Sequence, residues 1–111
     1  MSEPSIPSEL VEYRKQIDIC DQDLIAVLVR RFEIVRKVGE FKAEKNMDAV
    51  QPARAQAVKD RAVLWGREQG LDPVFIRGVY EVLIDYAHDL EHEILDEADH
   101  DKAGHDKAGQ K

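Results

Sequence analysis

One apolar stripe runs along the first third of this 111-residue chain. Over residues 10–41 the apolar side chains recur mostly in steps of three and four, which places them on one face of a helix. The stripe consists of Leu10, Tyr13, Ile17, Cys20, Leu24, Val27, Leu28, Ile34, Val35, Val38 and Phe41. No proline lies between Pro7 and Pro52, so nothing interrupts such a helix. The pattern predicts a single helix from about Ser8, its N-cap, to Lys45.

Such a helix is too long for a small globular monomer. About 38 residues that rise ~1.5 Å each span ~57 Å, whereas the radius of gyration of a 100-residue domain is ~13 Å. Because the helix is apolar along its whole length, we expect a second chain to cover it. The sequence thus predicts a two-fold homodimer with the long helices packed together.

Two further helices follow the long one. Pro52 suits the first turn of a helix that runs to about Gln69, and Gly70 is the expected residue just beyond its end. Asp72 as N-cap and Pro73 in the first turn then start a third helix with its own apolar periodicity. The predicted fold class is therefore all-α, with three helices of which one is very long.

The C-terminal residues are polar and repetitive. The apolar periodicity stops beyond Asp96, and the pentapeptide HDKAG occurs twice, over residues 100–109. Such a repeat buries too little surface to offset its ordering entropy, so we expect residues 99–111 to form a disordered polar tail. Its His and Asp side chains offer loose metal binding as a weaker alternative.

Charge and cysteine content exclude several classes of protein. Residues 81–111 carry ten acidic and three basic side chains, which accounts for the whole net charge of −7. An acidic C-terminal third without a basic, aromatic-rich stripe argues against nucleic-acid binding. With one cysteine, no apolar run long enough to cross a membrane and no secretion-signal pattern, the sequence predicts a soluble cytoplasmic protein.

Three cations of the long helix are candidates for a carboxylate-binding pocket. Arg31 lies on the apolar stripe, where a guanidinium is costly unless an anion pairs with it. Lys42 follows 11 residues later at nearly the same azimuth, ~16 Å along the axis, with room for a small dianion between them. Arg14 lies too far away in the same chain, but it reaches the site of a partner in a two-fold dimer. The alternative is structural: Arg14 pairs with nearby aspartates and Arg31 extends to solvent.

A second motif suggests zinc but has little support. His88, Glu91 and His92 match H-x-x-E-H, the inverted zinc-protease pattern. The motif is short, and the chain has no room for that family's second domain. We therefore interpret these residues as a polar helix face and expect no metal site.

Together these residues resemble a known family. The run from Leu10 to Lys45 is similar to the first helix of the all-helical chorismate mutases, L-x-x-x-R-x-x-I-D-x-x-D-x-x-L-I-x-L-L-x-x-R followed by V-G-x-x-K. Pro52 with Arg54, and the G-L-D-P-x-F segment of residues 70–75, match as well. The resemblance implies a helical domain over residues 1–98 and an intertwined, domain-exchanged homodimer with two equivalent sites.

The resemblance also implies roles for individual residues. Arg14 looks like the arginine that the partner subunit donates to one substrate carboxylate, and Arg31 like the arginine that grips the other. Lys42 looks like the lysine at the ether oxygen and a carboxylate, and Arg54 like an arginine at the pocket edge. Glu91 stands where the family has a glutamine or glutamate that hydrogen-bonds the ether oxygen.

The implied activity is the [3,3] rearrangement of chorismate to prephenate, on a small dicarboxylate and without a cofactor. Three departures from the family pattern concern the ring-hydroxyl end of the pocket: Ala55 replaces an acidic residue, Gln51 replaces an aspartate before Pro52, and Ala87 replaces a serine. They leave open two alternatives with the same fold, a mutase of 4-amino-4-deoxychorismate and an isochorismate-pyruvate lyase. A third alternative, from a different class, is a non-catalytic helical dimerisation module.

Overall fold

The computed structural model describes the backbone of residues 5–109 and the side chains of residues 5–101. Over this part of the chain the regular structure is helical: α1 spans Ser8–Glu44, α2 Pro52–Glu68 and α3 Pro73–Gly109. The prediction of an all-α fold with three helices is confirmed. The predicted ends of α1 and α2 differ from the observed ones by a single residue.

The chain divides into two compact units, Met1–Glu33 and Ile34–Lys111. The first unit contains most of α1. The second unit contains the end of α1, the connector to α2, and the antiparallel hairpin of α2 and α3. Lys42 and Glu91 both lie within this second unit.

Helices α1 and α2 end in the same way, with a residue in the left-handed region. Asn46 has φ 56° and Gly70 has φ 83°. After each of them the chain turns back: the Met47 N–H donates to the Lys42 carbonyl at 2.8 Å, and the Leu71 N–H donates to the Gly66 carbonyl at 2.9 Å. These are Schellman motifs, which satisfy the last carbonyls of a helix. The prediction that Gly70 ends α2 is confirmed.

Helix α3 begins as the sequence predicts, because the Val74 N–H donates to the Asp72 carboxylate at 3.2 Å. Its end lies beyond Asp96. The described helix continues through both HDKAG copies to Gly109, and residues 110–111 of the expected polar tail lie outside the described residues. No proline follows Pro73, and extending an existing helix costs far less than starting one.

Helices α2 and α3 pack closely along small side chains. Ala62 and Gly66 of α2 are buried, and so is Ile76 of α3. A Cβ placed on Gly66 would lie 2.9 Å from Ile76 Cγ1, so this approach requires a glycine. Further along α3 the buried residues Ile84, Ala87 and Leu90 continue the same face. This face leads directly to the candidate site.

Within the part of the chain that the structure describes, none of the helices combines the length and the apolar character needed to cross a bilayer.

Candidate active site

A short ion pair joins the end of α1 to the middle of α3. The Lys42 ammonium donates to Oε1 of Glu91 at 2.6 Å and to the carbonyl oxygen of Ala49 at 2.7 Å. The side chains are well shielded, with 13% of Lys42 and 8% of Glu91 exposed. Charge-assisted hydrogen bonds of this length are stronger than neutral ones, and low exposure reduces their screening. The ammonium is therefore fixed from two sides.

The connector between α1 and α2 supplies one of the two acceptors of the Lys42 ammonium. The Schellman turn at Asn46 reverses the chain directly after the last turn of α1. Three residues later Ala49 is buried, with 4% of its surface exposed, and its carbonyl oxygen meets the Lys42 ammonium. A buried carbonyl needs a donor, and Lys42 provides it. Lys42 thus binds both the connector and Glu91.

Helix α3 supplies the other acceptor, Glu91. Glu91 continues the buried face of Ala87 and Leu90, and it is the buried charged residue among those that the structure describes. Taking a carboxylate out of water is costly unless a cation or several donors meet it. The Lys42 ammonium meets this requirement. A paired carboxylate on an otherwise apolar, buried helix face is a strong candidate for a functional role.

A cleft of about 230 Å³ lies beside the pair, between the end of α1, the connector and α3. Lys42, Asn46, Met47 and Leu95 contribute to its lining. The carboxylates of Asp48 and Asp99 also line it, and they repel an anion. A dianionic ligand is therefore not expected in this cleft.

The structure places the other predicted site residues as follows. Ala87 is buried on α3, one turn before Glu91. Arg54 is exposed and Ala55 half-buried in the first turn of α2. In the first unit, Arg14 is exposed, and Arg31 is half-buried with its guanidinium 5.8 Å from the centre of the Phe32 ring. Lys42 and Glu91 are the predicted residues that the structure brings into direct contact.

The residues of the H-x-x-E-H motif have other surroundings than those of a zinc site. Its Glu91 is engaged by Lys42, while His88 is half-buried and His92 is exposed. Among the described residues, no group of three or more His, Cys, Asp and Glu side chains is arranged to hold a metal ion.

The comparison with known protein families decides the identity of the fold. Residues 13–92, which include Arg14, the Lys42–Glu91 pair and the whole of α2, match the family chorismate mutase type II. The chain belongs to this family.

Three relatives show how broad the chemistry of similar chains is. The 4-amino-4-deoxychorismate mutase of Streptomyces venezuelae is 31% identical over 69% of this chain and 75% of its own length. The isochorismate pyruvate lyase of Pseudomonas aeruginosa is 31% identical over 76% of this chain and 82% of its own. The chorismate mutase of Methanocaldococcus jannaschii is 24% identical over 81% of this chain and 91% of its own. Membership of the chorismate mutase type II family thus leaves the substrate open.

Two features near the Lys42–Glu91 pair were not predicted from the sequence. The Ala49 carbonyl is a backbone group, and an alanine gives no sign that its carbonyl will accept a hydrogen bond. Gly39 packs against α3: a Cβ on it would lie 3.0 Å from Ile94 Cδ1 and, in ordinary contact, 3.4 Å from Glu91 Cα. A signal for Gly39 was present, since it is the one glycine of α1 and glycine inside a helix is disfavoured without a packing reason.

Proposed function

We propose that this protein is an enzyme that catalyses the [3,3] rearrangement of chorismate to prephenate. The observation that carries the proposal is the shielded Lys42 ammonium, held 2.6 Å from Glu91 and 2.7 Å from the Ala49 carbonyl, in a chain of the chorismate mutase type II family.

The rearrangement is intramolecular. One C–O bond of the enol ether breaks while one C–C bond forms, so the reaction needs no nucleophile, general base, cofactor or external electron acceptor. The protein has to hold a flexible dianion in its folded conformer, which supplies the entropic part of the catalysis. It also has to stabilise the negative charge that develops on the ether oxygen as the C–O bond lengthens.

Lys42 suits the second task. An ammonium has three N–H donors, and within the described part of the chain Lys42 uses two of them, on Glu91 and Ala49. The third is left for the ether oxygen or a substrate carboxylate. Because two short hydrogen bonds already orient the ammonium, little reorganisation is needed when charge develops, which is the condition for effective electrostatic catalysis.

Glu91 contributes in one of two protonation states. As a carboxylate it accepts from Lys42 and orients that ammonium. As a protonated acid it donates a hydrogen bond of its own, and in that form it stabilises charge on the ether oxygen directly. We assign the second role to Glu91 in the transition state, and Gln would serve in the same way because its amide also donates.

The first task, holding the dianion, we assign to arginines and to a second chain. The apolar stripe of α1 is widely exposed, with Ile17 57%, Leu24 56% and Phe41 53% accessible. An exposed apolar face of this extent supports a partner, and we propose a homodimer. In it Arg31 binds one substrate carboxylate from the same chain and Arg14 of the partner chain binds the other, since guanidinium groups match carboxylates in a bidentate manner. Arg54 then lies at the pocket edge.

One observation favours a second candidate, 4-amino-4-deoxychorismate as substrate. Ala55 offers no carboxylate or other acceptor for a ring hydroxyl, and Ala87, one turn before Glu91, offers no hydroxyl. A pocket without an acceptor for the 4-hydroxyl loses the usual discrimination in favour of chorismate. The Streptomyces venezuelae relative carries the name of a mutase for the amino compound.

The experiment is a parallel incubation of the protein with chorismate, 4-amino-4-deoxychorismate and isochorismate, with products identified by mass and absorbance. We expect prephenate from chorismate, and the ratio of kcat/KM values ranks the three substrates. Lys42→Met tests whether the activity belongs to this site, with Lys45→Met as the matched control one turn away on the surface. Conversion of none of the three substrates would overturn the proposal and favour a non-catalytic dimerisation module.

A further inference from the structure

We propose that Asn46 is a positioning residue, whose left-handed backbone places the Ala49 carbonyl against the Lys42 ammonium. Its effect on catalysis rests on the function proposed above, whereas its effect on the hydrogen bond between Ala49 and Lys42 does not. Asn46 lies in the connector between α1 and α2, four positions after Lys42.

The backbone of Asn46 has an unusual conformation for its residue type. Its φ is 56°, and it is the one non-glycine residue with a positive φ in the part of the chain that the structure describes. Residues with a Cβ avoid this region for steric reasons; asparagine tolerates it better than most, and β-branched residues tolerate it least. Such conformations persist where the surrounding structure holds them, and they cluster at functional sites.

After Asn46 the connector returns to Lys42 at two points. The Met47 N–H donates to the Lys42 carbonyl at 2.8 Å, and the Ala49 carbonyl accepts from the Lys42 ammonium at 2.7 Å. In a helix that continued through residue 46, Ala49 would lie ~10.5 Å beyond Lys42 along the axis, with its carbonyl pointing away from Lys42. The reversal at Asn46 therefore brings the Ala49 carbonyl to the ammonium.

The Ala49 carbonyl in turn restricts the orientation of the ammonium. A lysine side chain is a flexible four-carbon stem, so a single acceptor leaves its ammonium several orientations. Two acceptors, Glu91 at 2.6 Å and Ala49 at 2.7 Å, fix the direction of the third N–H donor. The proposed function assigns that donor to the substrate. Loss of the Ala49 acceptor therefore misdirects the donor and lowers kcat more than it raises KM.

Gly70 ends α2 in the same way but in another turn. Its φ is 83°, and the Leu71 N–H donates to the Gly66 carbonyl at 2.9 Å. The backbone hydrogen bonds of this turn do not involve Lys42 or Glu91. A Cβ on Gly70 would meet nothing within 4 Å, so a substitution there tests the left-handed backbone alone. The chain thus offers one left-handed helix end at the ion pair and a matched one elsewhere.

The test makes the same kinds of substitution at these two positions. At residue 46 the series is Asn46→Gly, Asn46→Ala and Asn46→Val, and at residue 70 it is Gly70→Asn, Gly70→Ala and Gly70→Val. Tolerance of a left-handed backbone falls from glycine through asparagine and alanine to valine. Thermal unfolding reports the cost of each substitution to stability.

Two further readouts report on the site. The first is the Nζ signal of Lys42 in proton–nitrogen NMR spectra, assigned by its absence in Lys42→Met. Ammonium protons that are hydrogen-bonded and shielded from water exchange slowly enough to be observed, and 13% of the Lys42 side chain is exposed. The second is steady-state kinetics with the substrate of highest kcat/KM.

We expect the Lys42 Nζ signal in the wild type and in Asn46→Gly, which keeps the left-handed backbone. The signal should weaken in Asn46→Ala and vanish in Asn46→Val, because release of the Ala49 carbonyl leaves the ammonium open to water. In Asn46→Val kcat falls about tenfold and KM changes by less than about threefold, since small misplacements of catalytic groups act on kcat. The Gly70 variants lose stability in the order of the series but keep the wild-type Nζ signal and kcat.

An Asn46→Val variant with lower stability but an unchanged Nζ signal and kcat would overturn the inference, because Asn46 would then only end α1, as Gly70 ends α2. Asn46→Ala gives the same comparison if Asn46→Val does not fold. An Asn46→Gly variant as impaired as Asn46→Val would also overturn it, since the side chain rather than the backbone would be responsible.

A wild-type protein without a slowly exchanging Lys42 signal would overturn the inference as well, because the ammonium would then not be held. Should the wild type convert none of the three substrates, the proposed function fails. The Nζ signal in the two series still decides the role of Asn46.

Discussion

The Lys42 ammonium lies 2.6 Å from the Glu91 carboxylate, although the two residues are 49 positions apart in the chain. The pair joins the last turn of α1 to the buried face of α3. Its side chains are largely withdrawn from water. Removing one member of such a pair leaves the other charged and poorly solvated, which is more damaging than removing both.

Lys42→Met is expected to lower kcat by ~10²-fold, the usual effect of losing one preorganised donor to a developing oxyanion. Steady-state kinetics with chorismate measures this. The substitution also leaves Glu91 without its partner, at a cost of about 2 kcal/mol in the free energy of unfolding. Lys42→Met/Glu91→Gln should recover much of that stability and none of the activity. Lys45→Met, on the exposed surface, should match the wild type in both measurements, and a kcat loss there equal to that of Lys42→Met would contradict the assignment.

Much of the fold follows from the sequence because helix signals are local. The stripe over residues 10–41, Pro52 at one helix start and Gly70 at one helix end each act within a few residues, and the structure agrees with all three. The end of α3 does not follow in this way. A helix that is already formed extends through polar residues without an apolar face, so the loss of periodicity at Asp96 does not mark its end.

Only part of the site could be predicted from the sequence. Spacing along one helix relates Arg31 to Lys42, but no local pattern relates Lys42 to Glu91, and their association came from the resemblance to a family. The Ala49 carbonyl has no sequence signal, since every residue carries the same backbone group. Gly39 has a weak one, and only the structure shows that it packs against Ile94 and Glu91 of α3.

Asp60 on α2 gives a prediction about the α2–α3 hairpin. Its carboxylate accepts from Gln56 Nε2 at 2.9 Å and from the Arg77 guanidinium at 3.2 Å. These hydrogen bonds, that of Gln56 first, lower the pKa of Asp60 from its ordinary value of 3.8. NMR titration of the carboxyl group should therefore give a lower midpoint, and Gln56→Ala should move it upward, with Arg77→Ala acting in the same direction.

The sign of the effect on stability follows from the lowered pKa of Asp60. The contribution is present above the pKa of the unfolded chain and is lost as the pH falls through the pKa of the folded state. It is small, because the Asp60 side chain is exposed to solvent and such pairs are screened. Arg67→Ala, on the same helix but not bonded to Asp60, is the control. A midpoint unaffected by Gln56→Ala and Arg77→Ala would show that these bonds do not persist in solution.

The proposed dimer predicts recovery of activity from two inactive chains. Arg14→Ala and Arg31→Ala should each lower kcat/KM by at least ~10²-fold, since each leaves a substrate carboxylate without its guanidinium. After mixing and re-annealing, a heterodimer has one site that takes Arg31 from the first variant and Arg14 from the second. Random pairing in a two-fold dimer then restores about one quarter of the wild-type sites.

Sedimentation analysis and native mass spectrometry establish that heterodimers have formed. Dilution should separate the chains and reduce helicity together, because the exposed stripe of α1 has no other cover. Heterodimers without recovered activity would contradict a site shared between chains, and a fully helical monomer at nanomolar concentration would contradict the dimer itself.

Glu91 makes the last prediction, which concerns its hydrogen bond to the substrate. A donor at this position stabilises the charge that develops on the ether oxygen. Glu91→Gln keeps a donor and removes the carboxylate. This variant should therefore retain activity in steady-state kinetics with chorismate.

The comparison has a built-in control in Glu93, two residues along α3 and exposed. Glu93→Gln removes one carboxylate from the same helix without touching the ion pair, so its kcat and KM should match those of the wild type. A Glu91→Gln variant that is folded but inactive would show that the carboxylate itself is needed. Its role would then be to orient the Lys42 ammonium rather than to donate to the ether oxygen.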